Sequence, residues 1–125
     1  MSTDRTALRS PSTGARQAAR AFLGALGQPA IGREQADTVV LVVSQLVTNA
    51  LRHGGGAYAL GLSAHLGTIE VAVEDPSLRM PPRRAPVLVD GTGGFGWHMV
   101  NDLTLTTFVT PGPGGGKTVR ALLPR

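Results

Sequence analysis

The most constraining feature is the stretch from about Arg33 to His53. Its middle reads "VVLVVSQLVTNAL" (39–51), and Gly54-Gly55-Gly56 stops it. The length and apolar content predict a helix that cannot stand in water. Three consecutive glycines then end it, because glycine is a poor helix former with the widest backbone freedom. A helix this apolar needs a broad partner surface, and a β-sheet supplies one.

Strand patterns flank it. "AYALGLSAHL" and "TIEVAVED" read as two strands joined by a turn at Leu66-Gly67-Thr68. Ile69, Val71 and Val73 alternate with Glu70, Ala72 and Glu74, so one face of the sheet is covered. Before the long helix, residues 5–9 read as a short strand. "SPSTG" (10–14) is a turn with capping residues, and a helix follows over 13–27 with Ala18, Ala19, Phe22, Leu23 and Leu26 on one face. Beyond the hairpin, 76–94 is an irregular proline- and glycine-rich loop and 95–103 a short helix. Strands are expected over 103–109 and 117–123, joined by the loop 111–116. The order is β, α, α, β, β, loop, α, β, β. It predicts an α+β two-layer sandwich: a mixed, mostly antiparallel sheet with helices on one face, one domain over 1–125.

Composition removes several function classes. There is no cysteine, hence no disulfide scaffold or thiolate metal site. His53, His65 and His98 are too dispersed for a histidine-based metal site. The net charge is +4, yet the arginines cluster nowhere beyond Arg83–Arg84, and 4% aromatics is too few for single-strand nucleic-acid stacking platforms. No apolar run approaches membrane-spanning length and no signal-peptide core opens the chain, so the default expectation is cytoplasmic.

Two glycine motifs mislead. "GTGGFG" (91–96) fits a dinucleotide fingerprint, but no acidic residue follows about 20 positions on and no βαβ unit has room. "PGPGGGKT" (111–118) resembles a phosphate loop, but strand-like residues follow Thr118 where that motif must open a helix. Both segments remain able to cradle phosphate with backbone N–H groups in another architecture.

The polar residues of the long helix carry more information. Gln45, Asn49, Arg52 and His53 are spaced i, i+4, i+7 and i+8, which is one helix face. That face is either a solvated edge or one wall of a polar cleft; His53 is equally readable as a satisfied helix-end histidine. An asparagine there offers a carbonyl oxygen for a hard cation and an amide for phosphate oxygens.

"VVSQLVTNALRHG" (42–54) resembles the asparagine-containing helix of the histidine-kinase-like (Bergerat) ATPases, the group that includes DNA gyrase and histidine kinases. "VAVEDPS" (71–77) is similar to that family's adenine-binding segment. "GTGGFGWHMVNDL" (91–103) is similar to the glycine box ending its lid, and "GGGKTVRALLP" (114–124) to its closing strand pair. The four motifs come in the family's order. The likeness is greatest to small stand-alone anti-sigma-factor serine kinases and their actinobacterial relatives.

The resemblance implies ATP and Mg²⁺ as ligands. Asn49 would coordinate the metal, and Asp75 would accept the adenine amine with Thr118 beside it. Gly94 and Gly96 would let the lid backbone approach the phosphates, ahead of a helix N-terminus at about 97 facing the anion. Arg52 and His53 would line the same site. The implied partners are ATP/ADP and a protein, a sigma factor or an anti-sigma antagonist, with a homodimer left open; neither a membrane nor nucleic acid is implied.

Two positions depart from the family pattern. The catalytic glutamate, four residues before the asparagine, is here Gln45, which can hydrogen-bond a nucleophile but cannot take its proton. The usual Asp-x-Gly turn is Asp75-Pro76-Ser77. Two functions therefore stay open: a switch kinase that phosphorylates Ser or Thr on an antagonist protein, and an ATP sensor that gates a partner without phosphorylating it. A basic nucleic-acid module is the third, suggested by charge alone.

Overall fold

A computed structural model of the chain describes residues 2–8, 12–27, 30–53, 58–76, 94–111 and 116–125. Strand β1 (Ser2–Leu8) is followed by helices α1 (Ser12–Gly24) and α2 (Arg33–His53) and strands β2 (Tyr58–Ala64) and β3 (Thr68–Asp75). Helix α3 (Gly94–Leu103) and strands β4 (Thr106–Pro111) and β5 (Lys117–Pro124) complete the described elements.

The sheet has five strands in the order β1-β2-β3-β5-β4. The expectation is a mixed, mostly antiparallel sheet, and all four described pairings are antiparallel. Burial alternates along β2 and β3, so one face is covered and the other half-exposed. On the covered face Ile69 stands opposite Leu123, Val71 opposite Ala121 and Val73 opposite Val119. All six belong to the core. Helices α1 and α2 lie on this face, and α3 packs against α2. The two-layer α+β architecture is the one the element order predicts.

Helix α2 is the centre of the packing. It touches α1, α3, β2, β3 and β5, and Val39, Val42, Val43 and Val47 are fully buried. The Ala36 N–H donates to the Gly32 carbonyl at 2.9 Å, closing the first turn, and Glu34 in that turn complements the positive end of the helix dipole.

Three elements depart most from the sequence reading; the others shift by a residue or two at an end. The first strand is Ser2–Leu8, not 5–9, because it takes its length from β2, pairing from Ser2 with Ala64 to Leu8 with Tyr58. The first helix ends at Gly24, three residues short of the expected 27; Ala25 and Leu26 close a turn onto the carbonyls of Phe22 and Leu23. Strand β4 begins at Thr106, not 103, since Leu103 is the last residue of α3 and packs on the core. Residues 77–93, most of the expected loop, lie outside the described residues.

Candidate functional site

The polar stripe of α2 is graded in exposure. Gln45 and Asn49 are half-buried and Arg52 is exposed. His53 is the last residue of the helix, and its side chain lies outside the described part. Among the described residues, the Asn49 Nδ2 is buried with no hydrogen-bond partner. Leaving such a donor unsatisfied costs about 1–3 kcal/mol. Gln45 precedes Asn49 by one helical turn on the same face.

Asp75 ends β3 on the covered face, continuing the row Ile69, Val71, Val73. Its cross-strand partner is Lys117, the first residue of β5. The Lys117 Nζ donates to Asp75 Oδ1 at 2.9 Å, with side-chain exposures of only 7% and 3%. An apolar row thus ends on a buried ion pair. Such pairs often contribute no more stability than well-packed apolar residues in the same place. Just beyond, Pro76 is exposed, and Gly116 lies against the Asp75 backbone.

Thr118 was expected beside Asp75. The register instead pairs Thr118 with Glu74, on the other face of the ladder, and gives the place opposite Asp75 to Lys117. Thr118 is buried there, 3% exposed. The sequence carries a signal for this register: Val119, Ala121 and Leu123 face inward, and period-two alternation puts position 117, not 118, in their row.

The glycines expected just ahead of a helix fall inside it. Helix α3 starts at Gly94, so Gly94 and Gly96 both belong to its first turn, where N–H groups have no intrahelical acceptor. Asn49, Asp75 and this turn sit on elements linked by contact, since α2 packs on both β3 and α3. The arrangement offers an unsatisfied amide, a carboxylate beside an ammonium, and a helix N-terminus. Together these suit a ligand with anionic oxygens at one end and a hydrogen-bonding edge at the other.

The family model of the histidine kinase-like ATPase domain matches residues 9–122. The chain belongs to that family. No curated protein matches its sequence. As a histidine kinase-like ATPase domain it is an ATP-binding fold, with the architecture of a helix layer on an antiparallel sheet. Among its described residues no helix is long and apolar enough to cross a membrane, and no group of three His, Cys, Asp or Glu could hold a metal.

Proposed function

We propose that this domain binds ATP with Mg²⁺ and uses the bound state to regulate a protein partner, as serine/threonine switch kinases of the anti-sigma-factor type do. The observation carrying the proposal is the orphaned, buried Asn49 amide on the helix that packs against β3, the strand that Asp75 ends. An amide without a partner fits the triphosphate–metal end: Nδ2 donates to a phosphate oxygen or, turned over, Oδ1 faces the cation. Mg²⁺, when bound, neutralises phosphate charge.

Each side chain then has a task. Asp75 accepts the adenine amine. Gly94 and Gly96 leave the first turn of α3 open to the phosphates, and the α3 dipole favours that anion. Arg52, exposed at the end of the stripe, adds positive charge; His53 follows it at the helix end. The partner is a sigma factor or an anti-sigma antagonist, and the setting is the cytoplasm.

Gln45 favours a second reading. Where a carboxylate would accept the proton of an attacking hydroxyl, an amide cannot. Positioning and electrostatic stabilisation remain, so turnover is slow rather than zero. In this reading the domain senses ATP and gates its partner without phosphorylating it.

Titration with labelled ATP, with and without Mg²⁺, followed by ADP formation over hours, tests both readings. Binding with fast turnover supports the switch kinase, and binding with only slow residual turnover the sensor. Absence of binding at millimolar ATP and Mg²⁺ contradicts both.

A further inference from the structure

The Lys117–Asp75 pair stands where the apolar row of the β3–β5 ladder ends. Every earlier rung of that row is closed by two apolar residues in the core, so the pair breaks the pattern of its ladder. Lys117 is also the sole lysine in a chain that otherwise carries eleven arginines. An arginine fork would have matched the carboxylate with two parallel hydrogen bonds; an ammonium is a compact charge with three donors that can be shared among acceptors.

We propose that Lys117 is a specificity-determining residue that reads the nucleobase together with Asp75. The proposal rests on the ATP reading above and deepens it. The adenine edge presents an exocyclic amine, a donor, one ring bond away from N1, an acceptor. The ion pair presents the complement: a carboxylate acceptor beside an ammonium donor, 2.9 Å apart. A carboxylate has about four lone-pair sites and an ammonium three protons, so the ion pair persists while each member takes a base atom. The Lys117 Nζ donates to N1 as Asp75 accepts from the amine. The pair lies at the last rung before exposed Pro76, at the rim of the covered face.

The test is a double-mutant cycle between protein and ligand. ATP and 1-deaza-ATP, in which a C–H replaces N1, are titrated into the wild type and into Lys117→Met. A Lys117→Met/Asp75→Asn variant, which removes both charges, serves if the single variant leaves Asp75 too exposed to unfolding. Folding is checked by circular dichroism, and weak affinities are read by ligand-observed NMR. Loss of N1 should weaken binding to the wild type by about tenfold or more, the scale of a hydrogen bond to a charged donor. In the variants ATP and 1-deaza-ATP should bind equally. An undiminished penalty in the variants, or none in the wild type, overturns the assignment of Lys117 while leaving ATP binding intact. No binding of either nucleotide to the wild type overturns the ATP reading itself.

Discussion

Gly116 stands so close to Asp75 that a methyl group on its Cα would overlap the Asp75 carbonyl oxygen and come within 2.9 Å of the Pro76 Cα. Both neighbours are backbone atoms, which cannot swing aside as a flexible side chain would. Glycine at 116 lets β5 close on β3, and the closure sets Lys117 opposite Asp75. Gly116→Ala should lower stability by about 1–3 kcal/mol, the usual range for overpacking. Urea unfolding reads this, and an unchanged midpoint would show that the backbone yields.

The ion pair predicts a contrast between removing one partner and removing both. Asp75→Asn leaves the Lys117 ammonium buried without a counter-charge, a loss of about 3–5 kcal/mol. The same change should weaken ATP binding by about 1–3 kcal/mol through the lost charge-assisted hydrogen bond. Asp75→Leu with Lys117→Met should recover most of the stability and none of the affinity. Paired urea melts and ATP titrations separate the two effects.

Which parts of this fold could be read in the sequence follows from how local their causes are. Helix α2 (Arg33–His53) is legible in the sequence because its causes are local: a sustained apolar run and the three glycines that follow it. The bounds of β1 are not legible, because "STDRTAL" is mostly polar and takes its length from β2, a partner about 56 residues away in sequence. In the candidate site, Asp75 closes a strand whose alternation is plain. Motif resemblance points to Thr118 by residue type, whereas strand parity puts Lys117 opposite Asp75. The orphaned state of the Asn49 amide could not be read at all, since it depends on what neighbouring elements fail to supply.

The outer face of the same ladder provides a control. Arg120 Nη1 donates to Glu70 Oε1 at 2.7 Å, with side-chain exposures of 37% and 23%. Water screens this pair, so Glu70→Gln should cost under about 1 kcal/mol, and less still in high salt. Thermal melts at low and high NaCl measure it. A loss as large as that of Asp75→Asn would mean that burial is not what separates the two pairs.

Gln45→Glu should accelerate ADP formation. Position 45 lies one turn before Asn49 on the same helix face, where an attacking hydroxyl or water would stand. A carboxylate there can take the proton that the amide cannot, an effect worth roughly 10²–10⁴-fold. Single-turnover assays at saturating ATP compare the two forms. If the wild type is already as fast, another residue serves as base and the switch-kinase reading gains over the sensor.

Asn49 decides the central claim, because a buried amide without a partner adds nothing to stability and is the donor that the proposal assigns to the ligand. Asn49→Leu removes a buried, unsatisfied donor, so it should leave the melting temperature unchanged or higher. The measurement is a calorimetric ATP titration of wild type and Asn49→Leu, each with and without Mg²⁺. The predicted result is saturable, Mg²⁺-dependent binding by the wild type and at least tenfold weaker binding, on the order of one charge-assisted hydrogen bond, by the equally stable variant. Equal affinity in the two proteins, or no heat from the wild type at millimolar ATP and Mg²⁺, would contradict it.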